Sequence, residues 1–193
     1  MNSLTHKNIF VIFAPGSGGN HLANLLSTDK NLTSRFNSND YNDNSDRAHY
    51  FDTTTLEKDK INLKEILKNP GVYASHLFQL LTYRFITLVK KQFVILTIPK
   101  WNSQGHNRMK SLYNTYNNSY FYLELKWLYT EYNFKKLYNI QDKCIEINGQ
   151  DLFEDNNFIN NLFEKCKELN INLDKDLCYQ AHRLWLSKIS KDL

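Results

Sequence analysis

Residues 10–22 read Phe10-Val11-Ile12-Phe13-Ala14-Pro15-Gly16-Ser17-Gly18-Gly19-Asn20-His21-Leu22, an apolar run that passes through three glycines into an amphipathic segment. This order suits anion capture. Successive backbone N–H groups can ring a phosphate only where the chain turns tightly and no Cβ blocks its approach. A helix starting at the same point adds free N–H groups and the positive end of its dipole. The glycine loop and the helix start after it are therefore a predicted anion cradle, with the Ser17 hydroxyl and Asn20 amide as extra donors. A tight strand-to-helix turn that holds no ligand is the alternative this pattern leaves open. The nucleoside-triphosphate spacing GxxxxGK[ST] is not met, because no Lys-Ser or Lys-Thr follows Gly18 or Gly19. An ordinary ATPase or GTPase is disfavoured.

Other chemistry is thinner. The six histidines, at positions 6, 21, 49, 76, 106 and 182, show no spacing with Cys or carboxylates that would make a metal site, so no metal is expected. A magnesium-dependent phosphotransferase would want an Asp at the end of a neighbouring strand, and Thr97 and Asn148 stand at two such ends. The aromatic stretch holding Tyr113, Tyr116, Tyr120, Phe121, Tyr122, Trp127, Tyr129 and Tyr132 reads as half-buried helix faces. It is also the place to look for an acceptor or a partner surface, with Lys126, Lys135 and Lys136 nearby.

The elements that must position these residues alternate between short apolar runs and helical periodicities, the pattern of parallel βαβ units. Strands are expected at about 8–14, 72–75, 92–98 and 143–148, apolar enough for a sheet covered on both faces. Helices are expected over 21–27 and 77–90, within 109–138, over 158–169, and from an Asp174 N-cap to about Ser187. In that last helix Leu177, Ala181, Leu184 and Trp185 are the predicted buried face. The segment at about 29–60, rich in Asn, Asp, Ser and Thr, reads as a polar loop or insertion. The expected whole is a single α/β domain over 1–193: three layers, with a mostly parallel sheet between helices.

Composition bounds the partners. With 193 residues, 41% of them apolar, one sizeable core is affordable and two full domains are not. The net charge of +4 is too small to argue for nucleic acid. There are 25 Asn and 19 Lys against 5 Arg and 5 Ala, a bias expected from AT-rich codons, so motifs made only of Asn and Lys carry little weight. The apolar runs are too short for a membrane span. No signal peptide is legible, and Cys144, Cys166 and Cys178 cannot all pair with one another. A cytoplasmic protein with reduced thiols is expected.

The glycine segment resembles the sulfotransferase family, P-loop-like enzymes that take sulfate from 3′-phosphoadenylyl sulfate. Their first strand ends in P-K-S-G-T-T-W where this chain has Pro15-Gly16-Ser17-Gly18-Gly19-Asn20-His21, so Pro15, Ser17 and Gly18 match. The resemblance implies that residues Gly16 to His21 hold the 5′-phosphosulfate. Val72-Tyr73-Ala74-Ser75-His76-Leu77 is similar to the family strand ending in T-H-L-P, which implies that His76 is the general base acting on the acceptor hydroxyl. Phe93 to Lys100 resembles the strand ending in R-[DN]-P; Pro99 matches and Thr97 stands in place of the Arg. Lys100, Ser103 and Arg108 are the implied 3′-phosphate ligands. The segment Cys144 to Asp155 and the Trp-bearing last helix resemble the late part of the fold in small bacterial and phage-type members.

One departure is chemical. Gly16 occupies the position of the lysine that neutralises the bridging oxygen as sulfate leaves. His21, Arg84, Lys100 and Arg108 are candidate replacement cations. The implied activity is sulfuryl transfer from 3′-phosphoadenylyl sulfate to a hydroxyl or amine of a small-molecule or carbohydrate acceptor, without a metal. The alternatives are a non-catalytic nucleotide- or anion-binding module and a divergent phosphotransferase.

Overall fold

The computed structural model describes residues 8–14, 16–29, 49–50, 72–76, 91–114, 128 and 144–189. Most of the polar segment expected at 29–60, the helix expected over 77–90 and nearly all of the aromatic stretch beyond Asn114 lie outside the described residues.

Strands β1 (Asn8–Phe13), β2 (His49–Tyr50), β3 (Val72–His76), β4 (Lys91–Leu96) and β5 (Cys144–Ile147) form one sheet in the order β2-β3-β1-β4-β5. Every pairing in it is parallel. Four of these are the expected strands. The two-residue β2 falls in the polar segment, where no apolar alternation marks it.

The apolar runs become strands because both faces of the sheet are covered. Side chains alternate across a strand, and Ile9, Val11 and Phe13 of β1 join Val72, Val94, Leu96, Ile145 and Ile147 in one core. Ile12 and its register partner Ile95 point the other way and are also buried, at 0% and 1% exposure. Each such side chain stabilises the fold by about 1.5–3 kcal/mol relative to an exposed one. Val11, Val94 and Ile145 form a row across the three strands that carry the central loops. At the β5 edge the pattern relaxes to one buried face, with Glu146 exposed.

Helices α1 (Gly19–Leu26), α2 (Gln104–Asn114), α3 (Asp151–Glu154), α4 (Phe158–Glu168) and α5 (Lys175–Ile189) complete the described chain. Helix α1 begins two residues earlier than its apolar spacing predicts, inside the glycine segment. Helix α4 buries Phe158, Ile159, Leu162 and Cys166 at the expected 3–4 residue spacing.

The end of α1 is tied to the start of α5. Asp174 N–H donates to the Thr28 carbonyl at 3.2 Å, Asn172 N–H to the Asp29 carboxylate at 3.1 Å, and Thr28 Oγ1 lies 3.2 Å from Cys178 Sγ. Asp174 caps α5 as its sequence position predicts, its carboxylate accepting from Leu177 N–H at 3.2 Å.

The face α5 buries differs from the expected one. Cys178, Ala181, His182 and Ile189 are buried, Leu177 and Trp185 are half-buried, and Leu184 is 40% exposed. The helix is rotated toward α1, so a histidine takes an inward position that apolar counting had given to Leu184.

Candidate functional site

In this strand order the connection leaving β1 goes toward β2 and that leaving β4 goes toward β5, on opposite sides. The crevice between the carboxyl ends of β1 and β4 is thus a topological switch point, where open parallel α/β sheets take ligands. The loops above it are 14–18 and 97–103. The order differs from the dinucleotide-binding 3-2-1-4-5-6 arrangement, because β3 separates β1 from β2.

The first loop is built on two left-handed glycines. Gly16 has φ 81° and Gly18 φ 89°, a region that L side chains occupy at a cost of about 1–2 kcal/mol. Between them Ser17 N–H and Ser17 Oγ both donate to the Ala14 carbonyl, at 3.1 and 2.7 Å. Ser17 is fully buried, so its hydroxyl proton braces the turn instead of facing a ligand. Gly18 is the N-cap of α1, and its carbonyl accepts from Leu22 N–H at 3.0 Å. Gly16 and Gly18 are half-buried and Asn20 is exposed, so the loop keeps an open side.

Two contacts show why glycine is required at Gly18 and Gly19. A Cβ on Gly19 would sit 1.9 Å from Phe13 Cγ. A Cβ on Gly18 would sit 2.5 Å from Leu152 Cδ2 and 3.2 Å from the Trp185 ring. Helices α3 and α5 therefore wall the loop on one side.

His21 lies inside that wall. Its ring stacks on Trp185 with centroids 4.2 Å apart and planes 5° apart, and its Nε2 lies 3.1 Å from His182 Nδ1. One of the two nitrogens donates and the other accepts, so the accepting ring is neutral in this arrangement. Burial holds His21 well below the usual imidazole range, and the neighbouring charges of His182 and Arg108 push it the same way. Burial brings His182 down to about 4. His21 is thus a neutral side chain at the start of α1, and Arg108 reaches the same cluster, its Cζ 5.5 Å from the Trp185 ring centroid and its charge acting on His21. Phe153 completes the cluster, 5.1 Å from Trp185.

This pair makes stability depend on pH in a defined direction. An unfolded chain protonates both imidazoles near pH 6.5, whereas the folded chain keeps them neutral. The unfolded state therefore binds more protons below that pH, and stability falls as the pH drops from 6.5 toward about 4. Urea midpoints are expected to be flat between about pH 7 and 8 and to decline through the acid window. A His182→Gln chain is expected to show a shallower decline.

In the second loop Thr97 N–H donates to the Ile147 carbonyl at 2.9 Å, and Thr97 Oγ1 accepts from Gly149 N–H at 3.2 Å. This hydroxyl joins the end of β4 to the turn after β5. Gly149 is held so close that a Cβ would sit 2.0 Å from the Thr97 carbonyl oxygen. Ser103 is buried and caps α2, its Oγ accepting from His106 N–H at 3.2 Å. Lys100 is exposed.

Of the residues selected from sequence, Gly16, Ser17, Gly18, Gly19, Asn20 and His21 thus form one continuous loop and helix start, and Arg108 is brought to it through Trp185. Lys100 and Ser103 belong to the neighbouring loop. His76 ends β3 in register with Phe13, so its backbone stands on the same sheet edge, while its imidazole lies outside the described side chains. Missed by sequence reasoning were His182, Trp185, Leu152 and Phe153. Leu152, His182 and Trp185 meet the loop and helix start across more than 130 residues of chain, Phe153 packs behind Trp185, and no local spacing signals them.

Among the described residues no three His, Cys, Asp or Glu side chains gather as a metal-ligand set, and no helix is long and apolar enough to cross a membrane. No protein family, curated protein or solved structure matches the chain.

Proposed function

We propose that this chain is a P-loop-like, sulfotransferase-like domain that holds the phosphosulfate end of 3′-phosphoadenylyl sulfate over the backbone from Gly16 to His21. In this reading it transfers the sulfuryl group to a hydroxyl or amine of a small-molecule or carbohydrate acceptor. The observation that carries the proposal is the pair of left-handed glycines, Gly16 and Gly18, in a loop leaving the central strand at the switch point of a parallel sheet. Such a loop turns backbone N–H groups toward one point, and helix α1 adds its N-terminal field. His76 would remove the acceptor proton, and Lys100 with Arg108 would supply charge at the donor.

A second reading, a nucleotide- or anion-binding module without transfer activity, is favoured by Gly16 alone. A lysine at this position would have to take φ 81°, so the loop conformation itself is specific for glycine and has no place for the family lysine without strain. Arg108 is the replacement cation that the geometry supports best, because it reaches the loop through Trp185.

Calorimetry with adenosine 3′,5′-bisphosphate tests the shared part of both readings, and saturable binding without magnesium is expected. Preference for a magnesium nucleotide would point to a phosphotransferase instead. Given binding, sulfate transfer from 3′-phosphoadenylyl sulfate that is lost in a His76→Ala chain supports catalysis. Binding with no transfer to any hydroxyl or amine acceptor supports the module.

A further inference from the structure

We infer that Trp101 is the stacking platform for the purine base of the bound nucleotide. The inference rests on the proposal that the glycine loop holds the phosphate end of that nucleotide, and it adds the group that recognises the base.

Large apolar side chains are normally withdrawn from water, and a tryptophan left out forfeits one of the largest available gains in burial. Trp101 is 59% exposed and is the most exposed large apolar side chain among the described residues. Its backbone is fixed on both sides. Pro99 before it is buried, Ser103 N–H donates to the Lys100 carbonyl at 3.0 Å, and Ser103 caps α2. Asn102 takes the left-handed conformation, φ 62°, that closes the turn. The indole rests on the buried His106 ring at a centroid distance of 4.5 Å, so it is held in place from below while much of its surface stays in water.

Its location supplies the occupant. The turn follows β4, and β1 with the glycine loop is the next strand, about 4.8 Å away across the sheet. The start of α2 is packed toward that loop, because Gly105 has no room for a Cβ beside Phe153, Phe153 contacts Trp185, and Trp185 stacks on His21. Lys100, exposed and adjacent in sequence, adds a cation to the same turn. A ligand that brings an anionic end to the glycine loop and a flat aromatic end to the neighbouring turn has the chemistry of a purine nucleotide. Base-on-aromatic stacking needs only a π face, so a bare indole can provide it.

The test compares two probes on the full chain, adenosine 3′,5′-bisphosphate and inorganic pyrophosphate, by calorimetry. Replacing the exposed Trp101 by leucine is expected to weaken the nucleotide about ten-fold while changing pyrophosphate by no more than two-fold. Trp101→Phe, which keeps a ring, is expected to lose less. Nucleotide binding is also expected to quench the intrinsic fluorescence of the wild-type chain, and that quench should largely vanish in Trp101→Phe although binding persists. Equal weakening of both probes, or nucleotide binding and quenching unchanged in Trp101→Leu, would overturn the inference while leaving the anion loop standing. A wild-type chain that binds neither probe would overturn the loop reading and this inference with it.

Discussion

Replacing Gly19 by alanine is expected to destabilise the fold by about 3 kcal/mol or more, the upper part of the range for overpacking a filled site. The new methyl group would lie within 2.3 Å of three ring carbons of Phe13, whose side chain is buried at the end of β1. Neither side yields easily, because β1 is the central strand and Gly19 opens a helix whose next turn buries Leu22 and Ala23. Denaturant unfolding checks the size of the loss. A Phe13→Leu change in the same chain is expected to recover part of it, since the two positions share one space and their effects should not add. Full additivity would mean that the contact does not decide the outcome.

Trp185→Ala is expected to cost about 3 kcal/mol, near the lower end for removing a large aromatic because Trp185 is half-buried. It removes the stack on His21, the contact with Phe153 and the ring beneath Arg108 in one step. It also opens the wall beside Gly18. A second consequence separates loss of this cluster from general loosening. With water admitted to His21, the burial that holds its pKa down is relieved, so its imidazole should titrate closer to the ordinary value. A proton NMR titration of the histidines reads that shift directly. An unchanged His21 titration in a destabilised Trp185→Ala chain would show that desolvation of His21 does not come from Trp185.

The sheet was legible because parallel strands buried on both faces leave continuous apolar runs, as Ile9 to Phe13 and Val94 to Leu96 do. The glycine loop was legible because backbone geometry of that kind narrows the choice of residue at Gly16 and Gly18. What surrounds the loop was not. Thr97 reads from sequence only as the residue ending a strand, and its hydroxyl accepts from Gly149, 52 positions away. Ser17 looked like a ligand donor, and its proton goes to the Ala14 carbonyl, a choice fixed by the left-handed turn and not by the letters around it.

His182 was the hardest to place. A histidine on an amphipathic helix counts as polar, and only its partner on α1 makes the inward position satisfactory. His21, a candidate cation from sequence, is held neutral by its burial, with the charges of His182 and Arg108 pushing the same way. In the proposed function the charge that a lysine would bring at Gly16 falls to Arg108, which would tie the charge of the site to helix α2.

In the proposed function the backbone from Gly16 to His21 receives the anionic end of a nucleotide. Amide chemical shifts of a uniformly ¹⁵N-labelled chain, followed while adenosine 3′,5′-bisphosphate is added, test it at the atoms concerned. The amides of Gly16, Gly18, Gly19, Asn20 and His21 are expected to move together and to saturate at one ligand concentration. Saturating shifts elsewhere with these five amides unmoved, or no shifts at millimolar nucleotide, would contradict it.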